Sequence, residues 1–110
     1  MTHTMKLNCA PFEKIRNGSK TIELRLYDEK RRKIKVGDKI IFKNKTSSFS
    51  ATVKALHFFK SFEELYAVLP LDKCGYAESE LEAASPSDML EYYSEEQIKK
   101  YGVVGIEIGE

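Results

Sequence analysis

The sequence predicts a single α+β domain in which antiparallel strands close a small β-barrel flanked by short helices. Three observations predict it. The chain has 110 residues, which is one domain's worth and leaves no room for a second core. Its apolar fraction of 42% is slightly under the usual globular range but far above that of disordered chains. Segments of β character dominate, and the helix-start signals fall among them, mostly just before the last strand.

Taken in order, Met5–Cys9 reads as a short opening strand. Pro11 suits a first helical turn, where its missing N–H costs nothing, and Phe12 and Ile15 share a face. The spacing predicts a helix over Pro11–Arg16, closed by Asn17-Gly18 because glycine accepts a left-handed C-cap. Thr21–Leu26 alternates strictly, with Ile22, Leu24 and Leu26 on one face and Thr21, Glu23 and Arg25 on the other. Asp28–Lys33 is a charged connection, Val36-Gly37-Asp38 a turn, and Lys39–Lys43 a strand. Phe49–Phe59 is a long strand with Ala51, Val53, Ala55 and His57 in one set and Thr52, Lys54 and Leu56 in the other. Ser61-Phe62-Glu63-Glu64 is a capping box that opens a helix over Ser61–Leu69, and Pro70 stops it. Ser85-Pro86-Ser87-Asp88 and Ser94-Glu95-Glu96-Gln97 repeat the start signal. Gly102 ends the last helix and Val103–Ile108 supplies the closing strand. Closure of such a sheet leaves few exposed edges.

Several function classes are disfavoured. No apolar run approaches the ~18 residues that span a bilayer, and the N-terminus lacks the apolar stretch of a secretion signal. Cys9 and Cys74 stand far apart without CxxC spacing, so both read as reduced thiols of a cytoplasmic protein. His3 and His57 have no partners at ligand spacing, and neither a metal nor another cofactor is expected. The net charge of +1 conceals a polarity. Phe12–Lys45 holds twelve Lys/Arg against five Asp/Glu, whereas Ser61–Glu110 holds three against twelve. That asymmetry points to a basic face for an anionic ligand, or simply to segregated solvated charges.

Gly18-Ser19-Lys20-Thr21-Ile22-Glu23-Leu24-Arg25 is the one dense polar motif. Gly18 lets the chain turn from helix to strand, and Glu23 and Arg25 then project to one side, with Lys20 able to swing toward them. Arginine offers a planar fork for phosphate, carboxylate or a base edge; lysine is a mobile point charge. Glutamate accepts from an amino group or moves a proton. The plain alternative is a surface ladder of ion pairs contributing ~0–1 kcal/mol.

This run matches G-x-K-x-x-E-x-R, the signature of the ASCH family, at all four fixed positions. Nearly the whole chain resembles bacterial members of that family, including Pro11-Phe12-Glu13-Lys14-Ile15, Val36-Gly37-Asp38, Tyr92-Tyr93-Ser94 and Gly102-Val103-Val104-Gly105-Ile106. The resemblance implies a PUA-like barrel with a cleft beside the first helix, lined by Lys20, Glu23 and Arg25 and shaped at its entrance by Gly18. It also implies a role facing nucleic acid. A second branch of the superfamily, small amidohydrolases that deacetylate N4-acetylcytidine, is similar to this chain at Lys20 and Thr21. That branch carries a hydroxyl residue where this chain has Glu23, and a later glutamate to be sought among Glu78, Glu80 and Glu82.

Three readings follow. In the first, the domain binds RNA or a nucleotide-like ligand through Gly18, Lys20, Glu23 and Arg25, with Arg31 and Arg32 of the basic run Lys30–Lys35 tracking phosphates. In the second, it hydrolyses a modified nucleoside, with Lys20, Thr21 and Glu23 as catalytic candidates. In the third, the acidic C-terminal half meets a basic protein partner. Tyr76, Tyr92, Tyr93 and Tyr101 either stack bases at a rim or pack in the core with one wet end. His57 reads as a satisfied core or rim histidine, and Cys9 as structural. The oligomeric state is left open.

Overall fold

The structure is a computed structural model that describes residues 1–109. Its strands are β1 (Thr2–Lys6), β2 (Ile22–Leu26), β3 (Lys39–Lys43), β4 (Ser48–Phe59) and β5 (Val103–Gly109), joined in one curled half-barrel sheet of order β1-β3-β4-β5-β2. The α-helices are α1 (Cys9–Arg16), α2 (Phe62–Val68) and α3 (Glu95–Tyr101), with 3-10 helices at Arg31–Lys33, Glu78–Glu80 and Pro86–Glu91. The α+β class and the barrel-like sheet are as the sequence predicts.

The signals at Ser61 and Ser94 open helices, although Glu64 accepts from the Lys60 N–H rather than closing its box on Ser61. Ser61 and Ser94 accept from the N–H of Glu64 and Gln97 and open α2 and α3. The Ser85 signal forms its capping box but opens a six-residue 3-10 helix, Pro86–Glu91, rather than an α-helix. The opening strand is a correction. It runs Thr2–Lys6 rather than Met5–Cys9, because Met5 must pair with Phe42 while Asn8 already caps α1. This strand also runs parallel to β3, whereas every other pair is antiparallel. A long crossover separates β1 from β3, so no tight hairpin dictates its direction.

The alternation in β4 shifts as well. A bulge between Val53 and Ala55 leaves Lys54 unpaired, so Leu56 packs with Ala51 and Val53 instead of Ala55 and His57. His57 turns to the other face and meets Glu107 at 3.2 Å.

The sheet carries a core on each face. On one, Phe12 and Ile15 of α1 pack on Ile40, Phe42, Val53, Val104 and Ile106. On the other, Ile22, Leu24 and Leu26 of β2 pack on Phe62, Leu65 and Leu69 of the α2 region and on Cys74 and Met89. Glu23 lies opposite Ile106 and Arg25 opposite Val104, so both project from β2 on the face that α1 covers. β2 pairs only with β5, and the start of its other edge is held by the Lys73 carbonyl.

Phe12 is fully buried and meets the Phe49 ring edge-on at 5.0 Å. Phe12→Ala should therefore cost about 3–5 kcal/mol. Urea unfolding checks this: the midpoint should fall with an unchanged m-value.

Candidate functional site

The motif is built by a tight exit from α1. Gly18 takes φ +85° and donates to the Ile15 carbonyl, and the Lys20 N–H then donates to Lys14. Thr21 and Ile22 both donate to the Lys73 carbonyl, which ties the start of β2 to the loop after α2. The turn thus delivers Lys20 beside β2 just where the strand presents Glu23.

Glu23 is 3% exposed and is the one charged residue buried among the described residues. Its Oε1 lies 2.8 Å from Lys20 Nζ, and its Oε2 accepts from Arg25 Nη2 at 3.0 Å and Nε at 3.3 Å. Burial opposes the carboxylate's charge, but Lys20 and Arg25 outweigh it and hold the acid below its ordinary value. This is a buried three-charge cluster, not the exposed ladder that surface spacing allows.

A cleft of about 650 Å³ opens over the cluster, a volume that suits a nucleoside-sized ligand. One wall is the start of α1 and the other is the segment 74–93. Lys14 Nζ donates to the Gly75 carbonyl at 2.7 Å and ties the walls together. Gly75, at φ +110°, lies flat against the Lys20 stem; a Cβ there would sit 3.1 Å from Lys20 Cδ. Opposite, Tyr66 and Tyr76 share a hydroxyl hydrogen bond of 2.7 Å, and Tyr76 donates to Asp88 at 2.7 Å. Burial and these partners raise the Tyr76 phenol above its usual range, while the Tyr76 donor lowers Asp88. Burial likewise raises Tyr93, and the Cys74 thiol to about 11, so neither is a ready nucleophile.

The cleft is not a basic face. Lys6, Lys14, Lys20 and Arg25 are matched in its lining by Glu23, Glu80, Asp88 and Glu91, so the two halves of the charge polarity meet there. Lys20, Glu23 and Arg25 come together as expected, while Gly18 and Thr21 are not among the lining residues. Of the later glutamates, Glu80 reaches the lining, with its Oε1 held by the Ala77 N–H. Arg31 and Arg32 part company. Neither lines the cleft: Arg31 pairs with Asp28 at 3.3 Å, with its Nε–H buried and unpartnered among the described residues. Arg32 instead stacks over Tyr27, its Cζ 4.4 Å from the ring centroid. Tyr76, Tyr92 and Tyr93 line the cleft and Tyr101 does not. Lys14, Tyr66 and Gly75 were missed by sequence reasoning. A glycine following Asp72-Lys73-Cys74 was the available signal, since such a turn brings backbone close to its neighbours.

The family model of the ASCH domain matches residues 5–110. Among solved structures, the crystal structure of hypothetical protein PH0355 superposes with a TM-score of 0.85 at 39% identity, covering 99% of this chain and 98% of that one. The solution structure of protein PF0455 from Pyrococcus furiosus gives 0.75 at 37% identity, covering 99% and 96%. A point mutant of ZmASCH from Zymomonas mobilis gives 0.67 at 14% identity, covering 97% and 68%, which is a likeness of fold alone. No curated protein matches this sequence.

Removing the shared carboxylate should strand two largely buried cations, so Glu23→Gln should cost about 3–5 kcal/mol. The acid is depressed in the folded state, so its contribution is complete above pH 4.5 and is lost as pH falls through the lower folded value. Urea melts from neutral to acid pH should show a shallower loss of stability below 4.5 in the variant. Equal slopes would mean that Glu23 is not held ionised by its neighbours.

Proposed function

The chain belongs to the ASCH domain family, a family thought to bind RNA, and on that premise we propose that it recognises a nucleotide unit, free or within RNA, in the cleft over Lys20, Glu23 and Arg25. The observation that carries this reading is the buried carboxylate that fixes two cations beneath a tyrosine-lined cleft.

Each group has a role set by its partners. Arg25 spends Nε and Nη2 on Glu23, and its Nη1 makes no hydrogen bond among the described residues. It is oriented to meet a phosphate or base-edge acceptor. Lys20 spends one donor on Glu23 and adds charge. Glu23 itself has one cation on each oxygen, so it positions Lys20 and Arg25 rather than accepting from the ligand. Tyr92, at 63% exposure, offers a ring face at the rim. A lining with equal numbers of basic and acidic residues fits a base, with its donors and acceptors, better than a run of phosphates.

Hydrolysis of an acylated nucleoside such as N4-acetylcytidine fits less well. A carboxylate held below its ordinary value with both oxygens engaged is a poor proton donor at neutral pH. Thr21 has its backbone locked to Lys73 and Ile108 and lies off the lining.

The test is titration with the four nucleoside 5′-monophosphates and with short RNAs. Arg25→Ala should weaken binding roughly tenfold or more, by loss of a charge-assisted contact. Arg25→Lys should restore little, because an ammonium lacks the fork. N4-acetylcytidine should be returned unchanged by the wild-type protein. Wild-type affinity in Arg25→Ala overturns the assignment.

A further inference from the structure

A second concavity lies away from the cleft. It is an open groove of about 690 Å³ where the end of β4, the start of α2 and the end of α3 meet, lined by Phe58, Phe59, Lys60, Lys99, Lys100 and Tyr101 with Glu64 and Gly102. Its charge is the reverse of the cleft's neutrality. Lys60, Lys99 and Lys100 face a single acid, Glu64, whose Oε2 already caps the Lys60 N–H. Arg32 adds a fourth cation at the rim, where its Nη2 reaches the Tyr101 carbonyl at 3.5 Å. None of these four forms a salt bridge with an acid among the described residues.

The helix dipole accounts for lysines in the last turn of α3. It does not account for Arg32 and Lys60, which come from other loops. Nor does composition: Ser61–Glu110 holds three basic residues, and two of them stand here.

Planar groups accompany the charge. The Arg32 guanidinium covers the Tyr27 ring, and Tyr27 meets Phe58 at 4.7 Å between centroids. Phe58, tilted 57° against Tyr27, is 52% exposed and leaves a ring open to solvent. Lys100 Nζ lies 5.2 Å from the Tyr101 ring. Cations interleaved with an exposed aromatic are what a single strand requires: charge along its backbone and a ring under its bases.

We propose that this groove is a second nucleic-acid contact, which grips single-stranded RNA flanking the nucleotide held in the cleft. It rests on the cleft reading only for the choice of RNA among polyanions. Of the two adjacent arginines, Arg32 serves the groove, while Arg31 is held by Asp28. The full ligand is then a strand rather than a free nucleotide.

The experiment measures binding of a short fluorescent RNA of mixed sequence across a salt series, beside the four nucleoside 5′-monophosphates and a DNA strand of the same sequence. Lys99→Ala with Lys100→Ala should weaken RNA binding several-fold at low salt and flatten the log–log salt slope by about 1.4, at ~0.7 per phosphate contact. Phe58→Ala should lower RNA affinity about fivefold or more. Neither change should alter mononucleotide binding, and thermal melts of each variant check that the fold is intact. Unchanged RNA affinity and slope in both variants overturns the groove, as does wild-type protein that binds mononucleotides but not RNA; the cleft reading survives either result. RNA binding lost in the groove variants but untouched by Arg25→Ala supports the groove and sinks the cleft. DNA bound as tightly as RNA, with the same losses, overturns the RNA assignment.

Discussion

The buried carboxylate of Glu23 is the constraint on which the site depends. An ionised acid at 3% exposure is costly unless every lone pair facing the protein is answered. Lys20 and Arg25 answer it from opposite sides, and that requirement fixes both long side chains that would otherwise sample many rotamers. The cluster is better regarded as a device for geometry than as a source of stability. Apolar residues of similar volume would hold the fold about as well, but they would not aim a guanidinium.

The same constraint reaches into distant parts of the chain. The Lys20 stem lies along Gly75 on its way to Glu23, and Gly75 is held by Lys14 of α1 through its carbonyl. Lys73 in the same loop accepts from Thr21 and Ile22. Helix, loop and edge strand are therefore one mechanical unit around the carboxylate. Apolar packing supports it from both faces, Phe12 on one and Leu65 and Leu69 on the other.

The parts of this arrangement that repeat with a period were legible in the sequence. Alternation in β2 places Glu23 and Arg25 together, and Ser61 and Ser94 announce their helices by capping chemistry that acts within four residues. What was not legible depends on contacts between distant segments. The bulge at Lys54 escapes because Ala55 and Leu56 both suit a buried face, and only pairing with β5 decides between them. The segment 74–93 has no sustained periodicity, so its wall of the cleft could not be drawn from pattern. Tyr66 shows the difficulty in one residue: its ring packs with the apolar stripe of α2 while its hydroxyl bonds to Tyr76 at the cleft. A stripe position reads as core, and here it serves both.

Charge is where sequence and structure diverge most usefully. A count along the chain sets a basic first half against an acidic second half, and invites the picture of a basic binding face. Folding instead brings the halves together across the cleft, so that its cations are balanced by acids and its long-range field is weak. If the cleft binds a nucleotide as proposed, that balance favours discrimination by hydrogen-bond pattern over the drawing in of any polyanion. Unbalanced positive charge gathers instead in the separate groove of Arg32, Lys60, Lys99 and Lys100, beside the exposed ring of Phe58. On the proposed reading, short-range selection and long-range attraction are thus separated in space. In nucleic-acid recognition these are the distinct tasks of reading a base and holding a backbone.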